Sequence, residues 1–280
     1  MLLLELWFTE EWLSGLKFSV RVKSIVFTKK TRFQDLAIYD TEQLGRILTL
    51  DDVIQTTEID EYIYHESLVH VPLFCHPNPE RVLIIGGGDG GSLREALRHS
   101  SVKEATLVDI DGDVVEASKN YLPQWNQGFS DPRANVVIGD GLAFVEKARE
   151  EYDAIIVDST DPVGPGESLF TEEFYCNVRR ALRPGGVLSA QTENPILMPL
   201  VVKEIFHKIK RVFPIADLYT APVPTYPGGW WSFTCASLGP DPKKPAREPR
   251  ESWGLRYYSP AIHEKSFALG PKAERDLARS

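Results

Sequence analysis

The chain has 280 residues, enough for a full α/β domain with a smaller appendage. Hydrophobic residues make up 42% and charged residues 25%, ordinary proportions for a water-soluble globular protein, and no apolar run reaches the roughly 18 residues a membrane helix needs. The net charge of −9 argues against nucleic acid as a partner and suits a cationic one. The opening stretch Met1-Leu2-Leu3-Leu4-Glu5 has no basic leader and meets an acid at once, which argues against a signal peptide. Cys75, Cys176 and Cys235 stand far apart in no paired spacing and read as reduced thiols of a cytoplasmic protein.

Residues 16–57 read as β structure, because Phe18–Phe27 and Arg32–Tyr39 alternate loosely and Gly45 marks a hairpin before Arg46–Leu50. Val53–Thr57 reads as one more strand. Residues 1–59 are therefore taken as a small antiparallel β domain, too slight to stand alone and expected to pack on the main domain or on another subunit. Asp60–Cys75 reads as a helix with two apolar stripes, ended or kinked by Pro72. From residue 81 strand and helix signals alternate. Strands are expected at Arg81–Ile85, Ala105–Val108, Val136–Ile138, Tyr152–Val157 and Val187–Gln191. Helices are expected at Ser92–His99, Val114–Tyr121, Leu142–Glu150, Thr171–Leu182 and Val201–Val212, with Pro184-Gly185-Gly186 as a stop. Ile215–Ala221 and Trp230–Leu238 read as a closing β pair. Residues 239–252 read as an exposed proline-rich connector, and the rest as a short helix and tail. This alternation predicts a mostly parallel, Rossmann-like sheet with helices on both faces over residues 60–280.

The centre of that unit is Gly86-Gly87-Gly88-Asp89-Gly90-Gly91, between the first strand and its helix. Gly86, Gly88 and Gly91 satisfy a dinucleotide fingerprint. Asp89 does not fit that ligand, because a carboxylate inside the turn opposes a pyrophosphate at the helix N-terminus. It fits a ligand presenting a cation, or it caps the helix as a surface residue. Ligands of an open parallel sheet bind beyond the carboxyl ends of its strands, and those ends read Asp89, Asp109, Asp140, Asp158 and Asp161. Such an acidic crest is wrong for phosphate and suits a ligand with hydroxyls, an amino heterocycle and positive charge. Asp109 is placed to accept from ribose hydroxyls. Asp140 with Gly141 suits an adenine amino group lying close to the backbone. For each acid a solvated strand-end turn is the competing explanation, and a Mg²⁺ or Mn²⁺ site from carboxylates alone is a further alternative.

Taken with Leu107–Asp111, Gly139-Asp140-Gly141, Asp158–Pro165, Pro224–Pro227 and Tyr64-His65-Glu66, the glycine turn resembles the polyamine aminopropyltransferase family, the spermidine synthases, from about Trp7 to Phe267. The resemblance implies a methyltransferase-like α/β domain behind an N-terminal β domain. It also implies aminopropyl transfer from decarboxylated S-adenosylmethionine, a co-substrate, to putrescine, without metal or other cofactor, in a homodimer or homotetramer. Carried over by motif, Gln34, Asp109, Asp140, Gly141 and Pro165 lie on the nucleoside side, and His65, Asp89, Asp158 and Asp161 on the polyamine side. Asp89 also meets the amine-bearing end of the donor. Asp158 matches the proton acceptor, and Tyr64, Gln191 and Tyr226 match pocket positions. Carboxylates with aromatic neighbours suit a sulfonium and a diamine. Around Gln191 and Trp230-Trp231 members of the family differ, which leaves agmatine, cadaverine or a longer polyamine open as acceptor. The rival expectations are an S-adenosylmethionine methyltransferase, an NAD-dependent oxidoreductase and a non-catalytic polyamine-binding protein. Asp89 disfavours the first two, since it would face a carboxylate or a pyrophosphate.

Overall fold

The structure is a computed structural model that describes residues 5–162 and 164–278. Strands β1 (Leu6–Leu13), β2 (Leu16–Lys30), β3 (Asp35–Thr41), β4 (Arg46–Leu50) and β5 (Val53–Thr57) form one antiparallel sheet in chain order. β1 was not expected from the sequence. Its side chains show why it forms: Phe8 is buried with Val20, Val22, Ile47 and Ile54, whereas Trp7 beside it is exposed, the alternation of a half-buried strand. Leu36, Ile38, Leu48 and Leu50 pack on Val114, Ala117 and Trp125 of the second sheet's layer.

Helix α1 (Glu61–Cys75) follows, with Pro72 in its last turn. Its two stripes are explained by burial on nearly every side. It packs against helix α2 (Gly91–Arg98) and the large sheet, while the Glu66 carboxylate receives the backbone N–H groups of Arg256, Tyr257 and Tyr258 from a carboxyl-terminal strap.

The main unit continues as β6 (Arg81–Gly86), α2 (Gly91–Arg98), β7 (Glu104–Asp109), α3 (Gly112–Tyr121), β8 (Ala134–Ile138), α4 (Gly141–Val145), β9 (Tyr152–Asp158), α5 (Glu172–Ala181), β10 (Leu182–Gln191), α6 (Pro199–Val212), β11 (Ile215–Ala221) and β12 (Trp231–Ser237). Two short helices, α7 (Pro260–Ser266) and α8 (Pro271–Ala278), close the described chain where one helix and a tail were expected. Helix α4 is shorter than expected and ends at Val145, and the strand expected from Val187 begins at Leu182 with an irregular stretch before Val187.

The seven-stranded sheet has the order β11-β12-β10-β9-β6-β7-β8. From β8 to β10 all pairs are parallel, and β12 and β11 add antiparallel. Alternate side chains of the central strands separate cleanly. Val82, Ile84, Ala154 and Ile156 join one core with α1 and α2, whereas Leu83, Ile85, Ile155 and Val157 join another with α5 and α6. Strand order reverses between β6 and β9, so the crevice at that switch point opens at Gly86 and Asp158.

Candidate active site

Gly86 pairs with Asp158 across the switch point, and the Gly87 N–H donates to the Asp158 carbonyl at 2.8 Å. At Gly86 φ is +81°, and a Cβ there would stand 2.1 Å from that carbonyl oxygen, so only glycine lets the turn close on β9. A Cβ on Gly91 would stand 2.2 Å from the ring of His65, so the start of α2 approaches α1 only as glycine. Asp89 then serves in two ways. Its Oδ1 accepts the Gly91 N–H at 2.8 Å within the glycine turn, and its Oδ2 lies 3.2 Å from His65 Nε2.

His65 sits between two carboxylates, because its Nδ1 lies 2.7 Å from Glu61 Oε2, one turn earlier on α1. Burial alone would push the imidazole down, but Asp89 and Glu61 outweigh it and hold it well above the ordinary histidine value. Asp158, at the end of β9, receives the Tyr64 hydroxyl on Oδ1 at 2.8 Å and the Ser92 hydroxyl on Oδ2 at 2.6 Å. Burial raises its carboxyl above the usual range, His65 opposes that rise and Asp89 adds to it.

These groups face a cleft of about 940 Å³. Gln34, Asp109, Asp140, Gly141 and Tyr226 line it as well, so nine of the expected site residues share one cavity with His65, Tyr64, Asp89 and Asp158 among them. Asp109 accepts the N–H groups of Gly88 at 2.9 Å and Asp111 at 2.8 Å, and burial lifts it to about 6 in spite of them. Asp140 is exposed, lines the cleft and caps α4 through Oδ1, which receives Leu142 N–H at 2.8 Å. Gln34 reaches from the small sheet and donates to Asp111 at 3.0 Å. Pro165 lies in the 3₁₀ turn Gly164–Phe170, and its side chain, like Val163, is outside the described residues.

Asp161 and Gln191 line a second cavity of about 360 Å³, which shares Tyr64 and Tyr226 with the first. Gln191 donates to the carbonyls of Ser159 at 3.3 Å and Thr160 at 3.4 Å, and the Tyr226 hydroxyl donates to the Gln55 carbonyl at 2.6 Å. Glu10 of β1 also faces this cavity and is pushed up to about 7 by burial. Glu193 is buried with φ +76°, and burial, then the charge of Asp161, raises its carboxyl to about 10.

Ser92, Glu61, Glu10 and Glu193 were not expected from the sequence. Glu61 was legible as the residue one turn before His65 on the same helix face, and Ser92 as a hydroxyl in the first turn after the glycine loop. Glu10 carries no such signal, since the folding of β1 over the cleft alone brings it there. Among the described residues, His65, Asp89 and Asp158 are the one group whose donor atoms lie close enough to share an ion, within 4.8 Å of one another. His65 spends Nδ1 on Glu61, and its Nε2 faces the Asp89 carboxylate in an ion contact. No helix among the described residues is long and apolar enough to cross a membrane.

Residues 61–243 match the spermine/spermidine synthase domain, and residues 6–58 match the spermidine synthase tetramerisation domain. The chain is 47% identical to a polyamine aminopropyltransferase of Thermoanaerobacter sp. (strain X514), over 98% of this chain and 99% of that one. It is 46% identical to one of Bacillus mycoides (strain KBAB4), over 99% of this chain and all of the other, 100%. A crystal structure of spermidine synthase in complex with the transition state analogue AdoDATO superposes with a TM-score of 0.92 at 42% identity, covering 98% of this chain and 96% of that one. The spermidine synthase of Thermotoga maritima superposes with a TM-score of 0.91 at 41% identity, covering 98% and 95%. With the acidic crevice at its switch point and these relatives along its whole length, the chain belongs to the spermine/spermidine synthase family and is an enzyme of the polyamine aminopropyltransferase type.

Proposed function

We propose that the enzyme transfers the aminopropyl group of decarboxylated S-adenosylmethionine to putrescine, giving spermidine and 5′-methylthioadenosine. The observation that carries this is the position of Asp158, held by Tyr64 and Ser92 beside Asp89 and His65 at the floor of a cleft that also contains Asp109 and Asp140. Asp109 and Asp140 with Gly141 receive the ribose and adenine, and Asp89 receives the ammonium of the donor. A neutral amine nitrogen attacks the aminopropyl carbon next to sulfur. The carbon–sulfur bond breaks with its electron pair left on sulfur, which loses its positive charge. The new secondary ammonium passes its extra proton to Asp158.

Full deprotonation of an alkylammonium by a carboxylate before attack is unfavourable. A gap of about 6 pKa units corresponds to roughly 8 kcal/mol. Transfer of the proton during or after carbon–nitrogen bond formation avoids that barrier. The protein's contribution is then chiefly alignment of the amine with the carbon–sulfur axis. Asp161, Gln191 and Tyr226, in the second cavity, line the path for the far end of the acceptor. Because that cavity continues the cleft, an acceptor other than putrescine, such as agmatine, cadaverine or a longer polyamine, is the second candidate.

The test is mass spectrometry of products after incubation with the decarboxylated donor and a panel of amines. Methylthioadenosine with spermidine is expected. Methylthioadenosine with a different amine product would move the assignment to that acceptor, and S-adenosylhomocysteine formed from S-adenosylmethionine would replace it with methyl transfer.

A further inference from the structure

His65 is the meeting point of two carboxylates from two elements. Glu61 faces its Nδ1 from α1 at 2.7 Å, and Asp89 faces its Nε2 from the glycine turn at 3.2 Å. A neutral imidazole has one N–H and one lone pair, so with its N–H toward Glu61 it would turn the lone pair on Asp89, whereas the imidazolium presents positive charge to both carboxylates. Glu61 is itself almost wholly buried, 5% exposed, and is fixed by Arg94 of α2, whose guanidinium nitrogens lie 2.8 and 3.2 Å from its oxygens. Arg94 is anchored in turn by Glu95 at 2.6 Å, and Arg256 of the strap approaches Glu61 from outside at 4.0 Å. On the cleft side the remaining titratable neighbours of His65 are Asp158 and Tyr64, the latter with its ring edge-on to the imidazole. This corner of the cleft thus sets two carboxylates, Asp89 and Asp158, beside one cation whose charge is sustained from behind.

We propose that Glu61 is a positioning residue that keeps His65 as an imidazolium beside Asp89 and Asp158, so that an amine arriving there meets one uncompensated carboxylate charge instead of two and is more readily present as the free base. This rests on the aminopropyl transfer proposed above. Two uncompensated carboxylates would stabilise the ammonium form of the acceptor, which cannot attack carbon. A single one still attracts the amine and still accepts its proton afterwards. Glu61 touches no reacting atom. It acts through His65, and the buried Arg94 in turn holds Glu61 ionised: burial opposes its charge, but His65 and Arg94 bring its carboxyl below the ordinary glutamate value.

Two measurements test this. In the first, the His65 ring is titrated by NMR in the ligand-free protein, with the resonance assigned by its loss in His65→Gln. In wild-type protein the ring should titrate above the ordinary histidine range, and in Glu61→Gln its midpoint should fall by about 1–3 units, the effect of losing an opposite charge at contact. In the second, acceptor kinetics are followed across pH. Glu61→Gln should lower kcat near neutrality about tenfold, corresponding to a rise of about one unit in the pKa of the bound amine. The KM for the acceptor should stay unchanged or fall, the deficit should shrink as pH rises, and Glu61→Asp should restore part of the rate. An unmoved His65 midpoint, or an equal loss of kcat at every pH with a raised KM, would overturn the proposal. Should Glu61→Gln not fold, His65→Gln must show the same pH-dependent kcat deficit, and its absence overturns the proposal equally. If wild-type protein forms no aminopropylated product, the proposed function fails by itself, while the NMR titration still decides the state of His65.

Discussion

The hydroxyl of Tyr64 donates to Asp158 at 2.8 Å across 94 residues of chain, joining the first turns of α1 to the end of β9. With Ser92 on the other oxygen, the Asp158 carboxylate is held in one orientation, yet each oxygen keeps a lone pair for a substrate proton. Burial and the neighbouring Asp158 carboxylate keep the Tyr64 phenol well above its ordinary value, so it remains a donor throughout the working range.

Asp158→Asn preserves shape and removes the acceptor. Turnover should fall by about 10²–10⁴-fold, the range for loss of a general base, while donor affinity suffers less because Asp109 and Asp140 remain. Wild-type activity should rise with pH, since Asp158 must be ionised and burial has raised its carboxyl, and since free amine increases. Steady-state kinetics of the purified variant check this. Retention of more than about a tenth of wild-type turnover, outside that range, would remove Asp158 from the role.

Asp89→Asn should weaken the decarboxylated donor and narrow its advantage over S-adenosylmethionine. A hydrogen bond to a charged group is worth about 1.5–3 kcal/mol, and repulsion of the extra carboxylate adds to the wild-type preference. Calorimetric titration with both donors reads the difference directly. Equal affinities in the wild type would sink the idea.

Gly91→Ala places a methyl group 2.2 Å from the His65 ring, so the ring must leave its position between Glu61 and Asp89 or α2 must shift. The expected result is a large loss of activity with the His65 resonance displaced in NMR. Unchanged kinetics and spectra would contradict the close approach of α1 and α2.

Glu95 is fully buried, lies 3.0 Å from His70, accepts from Arg94 at 2.6 Å and forms an ion pair with Arg98 at 2.7 Å. Glu95→Ala takes the buried carboxylate away from Arg98 and His70 and leaves Arg94 with Glu61 alone, and should cost about 3–5 kcal/mol of stability, measured by denaturant titration. Burial opposes its charge, but His70 and the arginines hold it at about 2, below the ordinary glutamate value of 4.5. A depressed carboxyl stabilises the fold above the unfolded value and ceases to do so as pH falls through the folded one, so wild type should lose this contribution between about pH 4.5 and 2 and converge on the variant. A constant difference between the two down to low pH would contradict this.

Leu6, Trp7 and Ile25 are exposed on the small sheet, the region that matches the tetramerisation domain. We expect this edge of the sheet, where Leu6 and Trp7 point to opposite faces of the edge strand β1, to be covered by another subunit. Trp7→Glu combined with Ile25→Glu should shift sedimentation toward smaller species. A wild-type protein that sediments as a monomer at micromolar concentration with full activity would count against the assignment.

The sequence alone determined the α/β alternation, the glycine turn and the acids of the crest. These are local features: strand periodicity is set by adjacent residues, and a parallel sheet presents every strand end on one edge. Gly86 and Asp89 were informative because backbone freedom and charge at a helix start are decided within a few residues. Only the tertiary structure decided which oxygen of Asp89 accepts within the glycine turn and which meets His65, that Ser92 and Tyr64 share Asp158, and that Asp161 and Gln191 belong to a second cavity. It also brought β1, unexpected from its sequence, across that cavity with Glu10. The reason in each case is distance along the chain. The contact between Tyr64 and Asp158 depends on how α1 lies against the sheet, and the contact of Gly91 with His65 on how closely two helices pack, and neither leaves a periodic trace in the residues that make it.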